Sequence, residues 1–130
     1  MHKEQQLRYG EYEMKAARIA AMAKKRPLIK DEMERLQRYL ACMRMLCDTP
    51  YILDPACRIS PKLNELGNIL QELMEDGDHK IIVFSEWERM LVLVREQAEE
   101  MGLNYAWHTG KVPQPKRRQE IRRFKDDPRC

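Results

Sequence analysis

Glycine and aromatic side chains are scarce in this chain: five glycines, two phenylalanines and 7% aromatic content in 130 residues. The glycines stand far apart, so none builds the G-x-x-x-x-G-K-[ST] loop whose backbone amides cradle a nucleotide's phosphates. Long apolar runs are missing as well. Nothing approaches the roughly 20 consecutive apolar residues that span a bilayer, and no charged-then-apolar leader opens the chain. No membrane partner is therefore expected. The expected location is cytoplasmic, nucleoid-associated in a bacterium or nuclear in a eukaryote. Cys42, Cys47, Cys57 and Cys130 contain no C-x-x-C pair, which argues against structural zinc and for reduced thiols. Internal repeats and low-complexity tracts are also absent.

What is present is charge, and it is segregated. Hydrophobic residues make up 43% of the chain and charged ones 35%, with a net charge of only +3, the balance of one globular domain. Residues 1–49 nevertheless carry 11 basic and 7 acidic side chains, residues 50–110 carry 5 and 11, and residues 111–130 carry 8 and 3. A basic run is usually a solvated helix face. One that follows a glycine-marked loop at a helix start is also a candidate footprint for a nucleic-acid backbone.

The stretch HKIIVFS, residues 79–85, reads as a buried parallel strand because its apolar, β-branched and aromatic residues run on without polar alternation. Ser85 with Glu88 three residues on forms an S-x-x-E capping box, which predicts a helix from Trp87 to Met101. Met90, Leu91, Val94, Ala98 and Met101 share one face of it, and Gly102 is placed to end it in the left-handed conformation. A short second strand at 105–108 would complete a right-handed βαβ unit. Gly110 and two prolines then shape a loop into a further helix, where Ile121 and Phe124 face inward and Lys116, Arg117, Arg118, Arg122, Arg123 and Lys125 crowd the remaining surface.

The amino-terminal third reads as helical. One helix spans about 4–25 and stops before Pro27; another runs from an Asp31 cap, with Glu34 at its third position, to about Cys47. Met33, Leu36, Leu40, Met43 and Cys47 form a core stripe on the second. Methionine at that spacing belongs to a core more often than to a partner groove. Residues 50–58 form a loop around Pro50 and Pro55. Ser60 caps the next helix with Pro61 in its first turn, and Leu63, Leu66, Leu70, Leu73 and Met74 face inward until a stop near Gly77. Gly67 lies inside this helix at a cost of about 1 kcal/mol relative to alanine, which hints at a close neighbour.

Four anchors, in order, carry a family resemblance. LACMRMLCDTP is a leucine-rich helix followed by Cys, polar residues and Pro. Ser60, Pro61, Lys62 and Leu63 follow it. Val83, Phe84 and Ser85 resemble the strand end of helicase motif IV. Gly110, Arg117 and Phe124 then recur seven residues apart. Together, over about residues 36–127, they resemble the first half of the second RecA-like lobe of superfamily-two helicases, most closely the Swi/Snf type of double-stranded DNA translocase.

That resemblance implies an α/β fold: a partial RecA-like parallel sheet in βαβα order, preceded by a helical segment. It implies two regions, a helical segment at 1–58 and the N-terminal part of a helicase C-terminal domain at 59–130 that breaks off before motifs V and VI. ATP and Mg²⁺ are then cofactors of the parent protein, held by a first lobe that this chain lacks. No cofactor is implied for the chain itself, which alone should be inactive. The implied partner is double-stranded DNA, held weakly by its backbone. The implied contacts are Ser85, Glu86 and Trp87 in the first loop, Thr109, Gly110 and Lys111 in the second, and Lys116 and Arg117 on the helix that follows. A lobe broken off there leaves a sheet edge unpaired, so self-association is expected.

Plainer readings stand beside these. Ser85 is explained by capping, and no G-x-S-x-G elbow makes it a nucleophile. His108 at a strand end reads as a hydrogen-bonded structural residue rather than a general base. Trp87 and Trp107 are candidates to stack on bases, Trp87 as the exposed one and Trp107 as core. The alternative function, of a different class, is a non-catalytic α/β interaction module that binds protein or RNA through its basic carboxy-terminal helix.

Overall fold

A computed structural model describes all of residues 1–130. It contains five helices: α1 (Lys3–Ala23), α2 (Lys30–Asp48), α3 (Pro61–Glu75), α4 (Glu88–Glu100) and α5 (Gln114–Asp126), with a 3-10 turn at Pro50–Ile52 after α2. There are two compact units, Met1–Glu65 and Leu66–Cys130. No helix is long and apolar enough to cross a membrane.

The first unit is an antiparallel helical hairpin. Its direction follows from three contacts: Gln5 Nε2 donates to the Leu46 carbonyl at 2.9 Å, the Tyr12 and Tyr39 rings lie 6.1 Å apart, and Arg26 pairs with Glu32 at 2.6 Å. His2 caps α1, its Nδ1 accepting from Glu4 N–H, while Gln5 Oε1 accepts from His2 N–H in return. The amide of Gln5 thus reaches the buried end of α2 from a closed cap. Capping of α2 differs from expectation. Ile29 takes the N-cap position, and Glu32, not Glu34, reaches back to accept Ile29 N–H at 3.1 Å. The inward face is correspondingly rotated, with Leu46 fully buried and Met33 and Leu40 left exposed.

Beyond α2 the chain folds back on itself through two hydroxyls. Thr49 Oγ1 donates to the Ile59 carbonyl at 2.7 Å and accepts Tyr51 N–H. Ser60 Oγ donates to the Asp48 carbonyl at 2.9 Å and accepts Leu63 N–H, so it caps α3 as its sequence predicts. Arg8 on α1 ties down this return by pairing with Asp54 at 3.0 Å.

The second unit corrects the expected α/β fold, because the structure is all-helical and holds no sheet. A strand exists by pairing, and local β propensity without a partner does not make one. Residues 81–84 lie outside any regular element and make no backbone hydrogen bond, and Ile82 and Phe84 are 63% and 88% exposed. At the second expected strand, the Trp107 N–H that a ladder would use is taken at 2.8 Å by the Glu120 carboxylate. The helices themselves are well bounded. Gly102, at φ 71°, ends α4, with Gly102 N–H on the Glu99 carbonyl and Leu103 N–H on the Ala98 carbonyl, the two bonds of a Schellman motif. The inward face expected for α5 is shallow, since Ile121 is exposed and no residue of the helix is fully buried.

Candidate nucleic-acid interface

Ser85 closes a tight turn ahead of α4. Its Oγ accepts Trp87 N–H at 3.1 Å and donates to the Trp87 carbonyl at 3.3 Å, a local alternative to helix capping that short hydroxyl side chains favour. The N-cap of α4 is therefore Trp87, not Ser85, and Glu88 is the first residue of the helix rather than the far end of a capping box. A carboxylate in that place lies on the positive end of the helix dipole.

The second loop is built by Arg117. Its Nε donates to the Val112 carbonyl at 2.7 Å and its Nη2 to the Gly110 carbonyl at 3.0 Å, while Val112 N–H reaches the Thr109 carbonyl at 3.1 Å. Thr109 is buried beneath this turn, and its Oγ1 is enclosed without a hydrogen-bond partner. Pro113 then stands at the N-cap of α5, with Pro115 in the first turn, where a missing amide costs nothing.

A single ion pair joins the two loops. Lys111 Nζ lies 3.2 Å from Glu88 Oε2, so the residues expected in the first loop, Ser85, Glu86 and Trp87, and those expected in the second, Thr109, Gly110 and Lys111, lie on either side of it. Lys116 and Arg118 stand exposed at the start of α5, and neither makes an ion pair. Of the expected contacts, Arg117 differs in kind: two carbonyls already occupy its guanidinium, which leaves it shaping the loop. Glu88, absent from the expected contacts, is the residue that joins the loops. Its only sequence signal is a negative charge at a helix start beside a basic loop.

The remaining candidates are placed as follows. Trp87 and Trp107 are both half-buried, and the Arg95 guanidinium covers the Trp107 ring at 4.6 Å from its centroid, a cation–π contact. His108 is exposed. Tyr105 OH donates to Glu99 Oε1 at 2.5 Å, and that hydrogen bond holds the phenol above its usual range. An open recess of about 510 Å³ lies against Tyr105, Trp107, Glu99, Glu120 and Arg123. Lys80 anchors the far end of α5, its Nζ donating to the carbonyls of Phe124 and Asp127, where a cation suits the negative end of the helix. No three His, Cys, Asp or Glu side chains converge as metal ligands.

The sequence profile of the helicase conserved C-terminal domain matches residues 61–130. Comparison with curated proteins and with solved structures yields no match.

Proposed function

Because this chain belongs, over residues 61–130, to the helicase conserved C-terminal domain family, we propose that it is part of an ATP-dependent DNA translocase of the Swi/Snf type. Its contribution is a DNA-backbone-facing portion of the second motor lobe. ATP and Mg²⁺ are bound by the first lobe of the parent protein, and no step of hydrolysis runs through the residues described here. Residues 1–58 form a helical lead-in, and residues 59–130 supply the loops that meet DNA.

The observation that carries this reading is the convergence of the 85–88 and 109–111 segments at the 3.2 Å bridge between Lys111 and Glu88, followed in the chain by the exposed Lys116 and Arg118 at the start of α5. Ammonium and guanidinium groups at a helix start, together with backbone amides, suit phosphate oxygens and read no sequence. Binding of this kind holds any duplex in turn, as a motor that steps along DNA requires.

Fluorescence anisotropy of the full chain with labelled duplexes of unrelated sequence tests the proposal. With about three to five phosphates engaged, log K should fall against log salt with a slope of roughly −3 to −4.5, equally for every duplex. Replacing Lys116 and Arg118 with alanine should make that slope shallower by about 2. An unchanged slope in the double variant would remove the proposed face.

A further inference from the structure

Resting on that reading, we propose that Glu88 is an internal competitor for the phosphate that Lys111 binds, standing in for a DNA phosphate while the site is empty. Lys111 has an 83% exposed side chain, and Glu88 is its one ionic partner. The backbone that carries Lys111 is fixed by the two hydrogen bonds from Arg117 to Gly110 and Val112. Motion is therefore left to the side chain, a flexible four-carbon stem with a compact charge.

Glu88 is the steadier partner. Its side chain is 35% exposed, and it sits at the first residue of α4, where the helix dipole favours a carboxylate whether or not Lys111 is present. A duplex arriving at the loop thus meets an ammonium already engaged. It must draw Lys111 across to its own phosphate and then tolerate the bared carboxylate of Glu88 nearby. Both effects lower affinity, and both vanish when Glu88 loses its charge. The bridge is exposed, so its strength is modest and a phosphate can displace it; the contact tunes binding without blocking it.

The experiment measures duplex binding at low salt for the full chain and for E88Q, K111Q, E88Q/K111Q and E100Q, the last removing an exposed carboxylate at the far end of α4. E88A serves as a second neutral variant, and far-UV circular dichroism confirms that each retains its helix content. E88Q and E88A should bind about two- to five-fold more tightly than the wild-type chain, E100Q should bind as the wild type does, and the gain from E88Q should shrink once Lys111 is glutamine, to the part that the bared carboxylate alone contributes. Because the double variant isolates the pairwise effect, an equal gain from E88Q in the K111Q background would assign the effect to net charge and overturn the competitor role. If the wild type binds and E88Q does not improve on it, the inference falls while the DNA-facing reading stands. If neither binds at low salt, both fall.

Discussion

Gly67 on α3 and Gln97 on α4 approach so closely that a Cβ built on the glycine would overlap Nε2 of Gln97. This is the close neighbour that a glycine inside a helix suggests. Alanine at this position favours the helix by about 1 kcal/mol but forces the Gln97 amide to swing away. G67A should therefore stabilise the chain in a Q97A background and lose most of that gain when Gln97 is present. Urea denaturation of the four proteins in the cycle measures the coupling, expected at about 0.5–1 kcal/mol. Strict additivity would mean that the two helices do not approach at this point in solution.

The two bonds from Arg117 make a prediction about motion. R117A removes both, so the turn at 109–112 should open more readily by about 1–2 kcal/mol, which speeds hydrogen exchange of Val112 N–H roughly five- to thirty-fold. Helix content should stay unchanged. R117K should restore little, because a point charge on a flexible stem cannot hold two carbonyls in a fixed fork. Exchange at Val112 equal to that of the wild type would show that the turn holds its shape unaided.

Local chemistry made the helices legible. Ser60 ahead of Pro61, Gly102 after Met101 and the halt before Pro27 are each decided within a few residues, and each stands in the structure. At α2 the expected cap gave way. Asp31 and Glu34 satisfy the capping pattern and Ile29 does not, but Glu32 is held by Arg26 from within the α1–α2 turn and by Ile29 N–H. At Ser85 a competing turn displaced the capping box. The strands were illegible because pairing is non-local: the β-rich composition of 80–84 says nothing about whether a partner segment is at hand.

The two loops of the candidate site were visible as glycine, proline and charge between regular segments. Their meeting was not. The contact joins Glu88 to Lys111 across 23 positions of chain, and each residue alone reads as an ordinary surface charge. Arg117 was visible as part of a spaced motif, but only its geometry shows that its donors point back into the loop.

Glu32 gives the helical hairpin a dependence on acid. The Arg26 guanidinium, and after it the Ile29 amide, lower its carboxyl from 4.5 to about 2. The unfolded chain takes up this proton near pH 4.5 and the folded chain only near pH 2, so the unfolded state binds more protons between those values. The stabilisation is complete above about pH 4.5 and is lost progressively as the pH falls towards 2. E32Q should be less stable than wild type at neutral pH, and the gap should narrow through that window. Urea midpoints measured from neutral to acid pH check it; a constant gap would place the pairing of Arg26 and Glu32 outside the solution structure.

Residues 81–84 make the last prediction. Their backbone amides and carbonyls have no protein partner, and Ile82 and Phe84 lie open to water. An exposed, apolar segment with unpaired backbone groups is a template for strand addition. The most available second strand in a pure sample is the same segment of another copy, whose four consecutive apolar residues are identical. The full chain should therefore associate as its concentration rises to tens of micromolar, by sedimentation or light scattering under reducing conditions that exclude a Cys130 disulfide. I82K/F84K should restore the monomer, since like charges facing each other across an antiparallel pair oppose pairing. Both side chains are exposed, so helix content should be unaffected. Association that survives the double lysine variant would rule this segment out as the contact between copies, and a wild-type chain that stays monomeric would show that water solvates 81–84 without drawing in a second chain.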